Sequence, residues 1–217
     1  MDGDAFFAAV EQAKDWRLRG KPVITGGERF IAASMSYEAK ARGVTRAMRL
    51  DEIKRICPDA IILPSDYVTY GIFARRMYNI VRTYTPNVEE YSIDECFADI
   101  TGLDELMGIS YEEIGRRIKA DLERKLGITF GVGLASTKVL AKAASKHRKP
   151  AGFTHIKRDL DLAHCRRNLD VTSESLLHAP VLEPRIESDS RLDQFDRIPF
   201  LKNTPIEKVW GIGTSTT

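Results

Sequence analysis

The sequence predicts an α/β (α+β) fold, namely a ferredoxin-like split βαβ unit accompanied by a smaller α/β unit. Composition is the first observation, because 217 residues with 43% hydrophobic and 29% charged side chains are typical of a globular chain with a sizeable core. Two long segments with apolar residues on one helical face are the second. Short apolar strands around them are the third, since the order strand, helix, strand, strand, helix, strand is that of the split βαβ unit.

The elements predicted in the first part of the chain are short. Apolar residues at spacings of four and three indicate the first helix, which Gly20 ends. Turn residues and Pro58 separate the elements that follow. In chain order we predict a helix over 5–19, two antiparallel strands over 22–25 and 29–36 joined by a tight loop, a helix over 50–56 and a strand over 60–63.

The long helices and the remaining strands come next. In chain order we predict a helix over 65–84, two strands within 88–100 separated by a tight turn, a helix over 111–126 and a strand over 128–134. The split βαβ pattern also requires a strand before the first helix. We expect this strand to be nearly absent, because Met1 immediately precedes Asp2.

Residues 157–200 differ from the rest of the chain. Periodicity fades there, three prolines interrupt the segment, and Ser, Asp and Arg accumulate. Its two histidines and Cys165 have neither the number nor the spacing of a metal site. We therefore expect an insertion or linker, to which the sequence assigns no role.

Apolar content, cysteines and charge exclude several classes of protein. No stretch of about 18 apolar residues is present and no secretory signal is visible, so we expect no membrane contact. Three scattered cysteines favour free thiols in the cytoplasm. The net charge of +2 does not indicate nucleic-acid binding by itself. Between Gly131 and Phe153, however, five cations occur without any acid, which indicates either a phosphate-binding surface or a solvated helix face.

Three acidic residues stand where predicted strands end. Asp2 precedes the first helix, and the adjacent Asp94 and Glu95 lie beside a predicted turn. Neighbouring side chains on an extended strand face opposite ways, so this pair converges on one site only where the strand bends. Three carboxylates then suit Mg²⁺, which prefers oxygen ligands. The alternative is a solvated hairpin tip.

Four segments in a particular order and spacing favour the metal site over the hairpin tip. They are residues 2–11 (DGDAFFAAVE), 36–44 (SYEAKARGV), 92–95 (SIDE) and 138–142 (KVLAK). Together they resemble the Y-family translesion DNA polymerases, most closely the bacterial polymerase IV-like branch. The resemblance covers residues 1–156 and returns over 204–213.

The resemblance implies a division into domains. The palm comprises residues 1–18 and 67–156, the small α/β fingers comprise 19–66, and 157–200 form an insertion or linker. Residues 201–217 resemble the start of a helical thumb with a helix-hairpin-helix-like turn. We expect a fragment that lacks the first strand, most of the thumb and the little finger that grips duplex DNA in this family.

The resemblance also implies a catalytic metal centre. Asp2, Asp94 and Glu95 match the catalytic carboxylates of the family. With the Gly3 carbonyl they would bind two Mg²⁺ ions, which activate the primer 3′-hydroxyl and neutralise the leaving pyrophosphate.

Four residues match nucleotide-binding positions of the family. Phe7 falls at the steric gate, where an aromatic ring leaves no room for a 2′-hydroxyl; simple core packing is the alternative role. Tyr37, Lys40 and Lys149 match positions that hold the triphosphate. Lys40 stands where Arg is more common in the family. An ammonium group lacks the planar, two-pronged geometry of a guanidinium, so we expect weaker orientation of the phosphates.

Other matches concern the base pair and the DNA. Ala33 and Ala47 fall where the fingers cover the nascent base pair, and small side chains there imply a roomy pocket and low fidelity. Lys138 and Lys142, on a predicted helix, would face DNA. The turn of the thumb would present backbone N–H groups to a DNA phosphate. Its glycines are Gly211 and Gly213.

The sequence therefore predicts a template-directed, Mg²⁺-dependent DNA polymerase of low fidelity that adds deoxynucleotides to a primer 3′-hydroxyl in translesion synthesis. Its expected partners are primer-template DNA and deoxynucleoside triphosphates, and a sliding clamp is a further candidate through regions absent here. We expect a cytoplasmic monomer. Two alternatives stay open: a catalytically inactive DNA-binding fragment, and a nucleotidyl cyclase, since a split βαβ core with paired acids also serves that chemistry.

Overall fold

The computed structural model describes residues 1–156 of the chain. This part contains eight β-strands, seven α-helices and two short 3-10 helices. The strands are β1 (Asp2–Gly3), β2 (Val23–Thr25), β3 (Ser34–Met35), β4 (Ile61–Leu63), β5 (Val88–Ser92), β6 (Glu95–Ala98), β7 (Phe130–Leu134) and β8 (Phe153–His155). The α-helices are α1 (Phe6–Lys14), α2 (Tyr37–Ala41), α3 (Leu50–Ile56), α4 (Tyr67–Arg82), α5 (Leu103–Met107), α6 (Tyr111–Leu126) and α7 (Lys138–His147). The 3-10 helices are Trp16–Leu18 and Gly27–Arg29.

The strands form two sheets. In the larger, of order β5-β6-β1-β7-β8, β1 is antiparallel to β6 and β7, β5 is antiparallel to β6, and β8 is parallel to β7. The chain order β1, α4, β5, β6, α6, β7 confirms the ferredoxin-like split βαβ fold that the sequence predicts. The smaller sheet has the order β3-β2-β4. We call β1, β5–β8, α1 and α4–α7 the palm, and β2–β4, α2 and α3 the fingers.

The first strand of the palm is present, so the expectation that it is nearly absent is wrong. The backbone of β1 and of the residues next to it is hydrogen-bonded to β6 on one side and to the β7 side on the other. The Met1 carbonyl accepts a hydrogen bond from the Cys96 N–H (3.2 Å), and the Asp4 N–H donates to the Thr129 carbonyl (3.0 Å). Only two residues have full strand geometry. So short a strand shows no alternating pattern, which is why the sequence does not reveal it.

Several predicted elements are shorter in the structure. The first helix ends at Lys14 rather than near residue 19, because the Asp15 side chain accepts a hydrogen bond from the Arg17 N–H and begins a 3-10 turn. The second strand predicted in the fingers is confined to β3. The segment before β3 forms a 3-10 helix, and Phe30 has a φ of 57°, which lies outside the strand region.

The palm core lies between the sheet and the two long helices. Each helix begins at a side-chain cap: Asp66 accepts from the Thr69 N–H (3.1 Å), and Ser110 accepts from the Glu113 N–H (3.2 Å). Helix α6 has the predicted bounds, and Gly127 ends it in the left-handed conformation with a φ of 69°. The largest fully buried side chains of this core include Tyr70, Met77, Ile114, Leu122 and Phe130. Because the core uses one face of the sheet, the other face is available for polar groups.

The fingers have a separate and smaller core. Strand β2 is antiparallel to β3 and parallel to β4. Ser36 begins α2, since its Oγ accepts from the N–H groups of Ala39 (3.4 Å) and Val23 (3.1 Å). These bonds fix the first residue of α2, Tyr37, relative to β2. The buried members of the core are Ile24, Ala32, Met35, Ala39, Val44, Ile53 and Cys57.

Helix α7 packs directly on β7 because two glycines of the strand lie under it. A Cβ at Gly131 would lie 2.3 Å from the Ser145 carbonyl oxygen, and a Cβ at Gly133 would lie 1.9 Å from that of Ala141. No side chain fits at either position. Thr137 caps the N-terminus of the helix. This close approach brings the lysines of α7 toward β1 and β6.

Residues Met1–His155 form one compact unit, so the predicted boundaries between palm and fingers stay predictions. Strand β8 has no counterpart among the predicted elements. The predicted insertion (157–200), the predicted thumb start (201–217) and its glycines Gly211 and Gly213 lie outside the described residues. Among the helices described, none has an apolar stretch long enough to cross a membrane.

Candidate active site

The three predicted acids lie together on one face of the palm sheet. Asp2 on β1 is paired with Glu95 on β6, and paired residues of antiparallel strands project to the same side. Asp94 lies in the two-residue turn between β5 and β6, just after the register shifts between Glu90 and Ser92. The Ser92 hydroxyl lies 2.8 Å from Asp94 Oδ1 and 3.4 Å from Glu95 Oε2. The bend of the chain therefore brings the adjacent acids to one place.

Two lysines partly neutralise these acids. The Lys149 ammonium is hydrogen-bonded to Asp2 Oδ1 and lies 3.5 Å from the Gly3 carbonyl oxygen. The Lys142 ammonium donates to Glu95 Oε2 at 2.9 Å, and its side chain is only 12% exposed. The site is thus a set of ion pairs between the sheet and the segment that includes α7 and the residues after it.

Hydrogen bonding between Asp2 and Glu95 shifts their pKa values in opposite directions. Burial, followed by hydrogen bonding with Glu95, raises the pKa of Asp2 to about 6. Burial also opposes ionisation of Glu95, but hydrogen bonds with Asp2 and Lys142 outweigh it and lower the pKa of Glu95. Glu95 is therefore the stronger acid of the two, and Asp2 is the weaker.

The donor atoms at this face suit a hard cation. The carboxylates and the Gly3 carbonyl are oxygen donors, which Mg²⁺ prefers. The Lys149 ammonium contacts two of the predicted metal ligands, Asp2 and Gly3, so their oxygens already accommodate a positive charge. In residues 1–156, no three acidic, histidine or cysteine side chains are arranged to hold one metal ion. Metal binding would therefore require the carboxylates, and the lysines paired with them, to rearrange.

The predicted triphosphate residues converge beside the acids. Tyr37 and Lys40 lie on α2, and the Lys40 ammonium is 4.2 Å from the centre of the Tyr37 ring. Burial, and then the positive charge of Lys149, lowers the pKa of Lys40. Burial, and then the negative charges of Asp4 and Asp2, raises the pKa of Tyr37 to about 12. Residues from the fingers and the palm therefore meet at one charged site.

The predicted gate residue, Phe7, is half-buried on α1. Its ring stacks on Tyr70, with ring centres 4.4 Å apart and 9° between the planes. The Tyr70 hydroxyl donates to Glu11 Oε1 at 2.8 Å, which holds the supporting ring in place. Phe6, by contrast, is 3% exposed and belongs to the palm core. The helical pattern places Tyr70 on the apolar face of α4 but does not reveal its contact with Phe7.

The two small residues of the fingers lie on neighbouring segments. The Ala47 N–H donates to the Ala32 carbonyl (2.9 Å), and the N–H of the next residue, Ala33, donates to the Thr25 carbonyl (2.8 Å). Ala33 is half-buried, whereas Ala47 is exposed and has a φ of 65°. The structure thus brings together the backbone segments that carry Ala33 and Ala47.

The two lysines predicted to face DNA have different surroundings. Lys138 is exposed and forms an ion pair with Glu89 on β5. Lys142 contacts Glu95 in the acidic site, and its ammonium lies 4.1 Å from the centre of the Tyr91 ring. Lys138 is therefore the one of the two at the solvent surface, and DNA contact by either lysine stays a prediction.

Asp4 belongs to the site although no motif role pointed to it. Its carboxylate is 1% exposed. Its Oδ2 accepts a hydrogen bond from the Ala151 N–H at 2.6 Å, and its Oδ1 lies 3.3 Å from the Lys149 ammonium. The signal that could have found it is its position two residues after Asp2, since alternate residues of a strand share a face.

Known proteins are similar to this chain in sequence and in architecture. A family model described as impB/mucB/samB matches residues 1–146. The DNA polymerase IV of Caulobacter vibrioides is 38% identical over 157 residues, which cover 72% of this chain and 39% of that protein. The DNA polymerase IV 1 of Mesorhizobium japonicum is 38% identical over 214 residues, which cover 98% of this chain and 41% of that protein.

A solved structure has the same fold. The insertion ternary complex of Dbh DNA polymerase is similar with a TM-score of 0.73 and 27% identity, and the match covers 99% of this chain and 54% of that one. The chain spans about two fifths of the length of the two curated relatives. Since the family model matches well over half of the sequence, the chain belongs to the impB/mucB/samB family, the Y family of DNA polymerases that the four motifs indicate.

Proposed function

We propose that this chain carries the catalytic part of a low-fidelity DNA polymerase that acts in translesion synthesis. It would add deoxynucleotides, directed by a template, to a primer 3′-hydroxyl. The observation that supports this best is the meeting of three acids, Asp2, Asp94 and Glu95, with Lys149 and Tyr37 at one face of the palm sheet. Family membership adds support. The activity, substrates and partners are proposals for this chain because it spans less than half of its curated relatives.

The acids would form the metal centre. Asp2, Asp94, Glu95 and the Gly3 carbonyl would hold two Mg²⁺ ions. When bound, such ions lower the pKa of the primer hydroxyl and neutralise charge on the triphosphate and the leaving pyrophosphate. The Ser92 hydroxyl orients Asp94 and Glu95 through its contacts with both carboxylates. Glu95 is ready as an anion, whereas Asp2 becomes one as the pH rises above about 6.

Tyr37, Lys40 and Lys149 would bind the triphosphate. Phosphate oxygens accept hydrogen bonds, and ammonium and phenol groups supply donors. The pKa of Tyr37, raised to about 12, keeps its hydroxyl protonated as a donor at neutral pH. Burial and Lys149 lower the pKa of Lys40, and an approaching anion would oppose this by stabilising the charged form of the lysine. A point charge orients the phosphates less strictly than an Arg fork.

Three residues would determine which nucleotides the pocket accepts. The ring of Phe7, supported by Tyr70, would lie under the sugar and exclude a 2′-hydroxyl. The methyl groups of Ala33 and Ala47 would leave space beside the nascent base pair. A pocket with such space rejects misshapen pairs poorly, because discrimination by shape requires close contact.

Primer-template DNA and deoxynucleoside triphosphates are the proposed partners. Lys138 and Lys142 would contact DNA phosphates, and the backbone at Gly211 and Gly213 would contact a further one. Lys142 would then exchange Glu95 for a phosphate oxygen. A sliding-clamp partner, a monomeric state and a cytoplasmic location stay predictions from the resemblance.

Primer extension by the full chain tests the proposal. With Mg²⁺, primed DNA and the four deoxynucleoside triphosphates, we expect elongation of the primer. Asp94→Asn or Glu95→Gln should slow it at least about a hundredfold, since each removes charge that would face the metal. Asp94→Asn should keep the thermal stability of the parent, whereas Glu95→Gln also removes the counter-charge of the largely buried Lys142 ammonium, so thermal unfolding of both variants is measured beside activity. Asp99→Asn is the matched control: this exposed carboxylate bonds Thr101 and should be dispensable for activity.

Each rival outcome is distinct. Equal extension rates for the two variants and the parent at saturating Mg²⁺ would contradict the metal assignment. A folded parent that binds primed DNA without extending it would favour the inactive DNA-binding fragment. Formation of a cyclic nucleotide in the absence of DNA would favour the nucleotidyl cyclase.

A further inference from the structure

Asp4 is a deeply buried carboxylate, with 1% of its surface exposed against 7% for Asp2. Its backbone N–H donates to the Thr129 carbonyl (3.0 Å), which fixes it at the end of β1. Its Oδ2 accepts from the Ala151 N–H at 2.6 Å. Within residues 1–156, its Oδ1 accepts no hydrogen bond and lies 3.3 Å from the Lys149 ammonium. The carboxylate therefore connects β1 with the loop that carries Lys149.

The charge of Asp4 requires an explanation. Burial of an ionised carboxylate strongly destabilises a folded protein unless a counter-charge or hydrogen bonds compensate. The contact with Ala151 needs only an acceptor oxygen, which a neutral amide would supply equally well. The negative charge is instead matched by the Lys149 ammonium, which faces the oxygen that accepts no hydrogen bond.

The surroundings of Asp4 connect it with the triphosphate residues. Burial and then the charge of Asp4 raise the pKa of Tyr37 to about 12. Burial and then Lys149 lower the pKa of Lys40, and the charge of Asp4 partly offsets this. All three residues proposed to hold the triphosphate thus interact with Asp4. Its Oδ2 accepts a hydrogen bond from the backbone of Ala151.

We infer that Asp4 is a positioning residue for nucleotide binding, whose charge holds the Lys149 ammonium where the triphosphate binds. The inference rests on the proposed function, because triphosphate binding by Lys149 is part of that proposal. Asp2 also holds this ammonium, but Asp2 is a proposed metal ligand. Asp4 is the second anionic partner, which retains the lysine when the Asp2 carboxylate is otherwise engaged.

Asp4→Asn is the direct test, because it removes the charge and keeps an acceptor for the Ala151 N–H. The dissociation constant of a deoxynucleoside triphosphate is measured on the full chain with a primer that ends in a dideoxynucleotide, so that no reaction occurs. We expect it to rise about tenfold or more, because a buried ion pair is lost. In primer extension, KM should rise in parallel while kcat changes less than about threefold. Asp99→Asn should alter neither quantity.

Lys149→Met shows whether Asp4 acts through the lysine. In that background, Asp4→Asn should change the dissociation constant by less than about twofold, because the partner of the charge is already gone. A full second loss of about tenfold would overturn the inference, since independent effects multiply. So would a large loss of thermal stability by Asp4→Asn with unchanged nucleotide affinity, which would show a purely structural role.

A crystal structure of the parent with primed DNA and a non-hydrolysable deoxynucleotide provides a second test, which applies even where Asp4→Asn does not fold. We expect the Lys149 ammonium to contact both Asp4 and a phosphate oxygen. An ammonium that has left Asp4 would overturn the inference. A parent that neither binds the nucleotide nor extends a primer would instead contradict the proposed function, and the inference would fall with it.

Discussion

The palm and the fingers differ greatly in the size of their cores. The palm core contains sixteen buried residues under two helices of 16 residues each. The fingers core contains seven, and its strands have two or three residues. Local stability follows buried apolar contact, so we expect the fingers to open at a lower free energy than the palm. The acids lie in the palm. Tyr37, Lys40, Ala33 and Ala47 lie in the fingers segment of the chain.

Helix α1 of the palm makes polar contacts with the fingers and with the segment that leads to them. Gln12 donates to Glu38 Oε2 on α2 (3.3 Å) and to the carbonyls of Leu18 and Lys21 (3.2 Å each). These polar contacts add to the packing of α1 against β2 and β3, where Ala8 and Val23 are completely buried. The difference teaches that the acids are carried by the part of the structure with the larger core, so we expect them to stay fixed while the residues of the fingers adjust.

Truncation of one buried side chain in each unit tests this difference in stability. Met77 in the palm and Ile53 in the fingers are both completely buried, and replacement by Ala costs about 2–5 kcal/mol at such positions. Met77→Ala should lower the global free energy of unfolding, measured with urea. Ile53→Ala should speed hydrogen exchange in the fingers and leave the palm protected. Equal loss of protection in both units after Ile53→Ala would contradict the separation of the two cores.

Replacement of the two adjacent phenylalanines separates the role of the palm core from that of the pocket. Phe7→Ala should raise the ratio of ribonucleotide to deoxynucleotide incorporation by about tenfold, because the ring no longer fills the space of a 2′-hydroxyl. Phe6→Ala is the matched control: it should cost about 3–5 kcal/mol of stability and leave the ratio unchanged. Thermal unfolding and incorporation are measured on the same preparations. A destabilised Phe7→Ala with an unchanged ratio would show that Phe7 is only a core residue.

The pH dependence of metal binding tests the acidic centre itself. Because burial raises the pKa of Asp2 to about 6, protons should compete with the metal below this pH. We expect Mg²⁺ affinity, measured by calorimetry, to fall by up to about tenfold per pH unit below pH 6 and to level off above it. Affinity that stays constant between about pH 5 and 7 would contradict the assignment of Asp2 as a ligand.

The raised pKa of Asp2 also determines how the stability of the metal-free protein changes with pH. The folded state holds the Asp2 proton more tightly than the unfolded chain, where the ordinary pKa is 3.8. The contribution of Asp2 is therefore fully present below about pH 4 and is lost as the pH rises through 6. Asp2→Asn should remove this slope, which can be measured from thermal unfolding across the pH range.

Long helices could be predicted from the sequence far better than short strands. Helix α6 could be predicted to the residue, because Ser110 and Gly127 mark its ends and its apolar residues repeat with a helical period. Strand β1 could not, because two residues have no period and the hydrogen bonds that define it come from segments remote in sequence. The second fingers strand was predicted too long for a different reason: a 3-10 helix ends at Arg29 and Phe30 has a positive φ, so only Ser34–Met35 are extended.

The acids of the site could be predicted, but their partners could not. Asp2, Asp94 and Glu95 stand in short motifs that mark them. That Lys142 contacts Glu95 depends on how closely α7 packs on β7, which only the tertiary structure determines. The contacts of Asp4 could not be predicted for a related reason. Asp4 stands in the first motif, but its hydrogen-bond partner Ala151 is remote in sequence.

Translation delivers β1 first and its two neighbours much later. The fingers sheet, by contrast, is made from strands that follow one another within residues 23–63. Contacts between residues remote in sequence form slowly, because the intervening chain loses entropy when they close. A growing chain can thus complete the fingers sheet while Asp2 still lacks both Glu95 and Gly131, its partners on β6 and β7. The acidic centre therefore cannot assemble before β6 and β7 have been made, which is later than the strands of the fingers sheet.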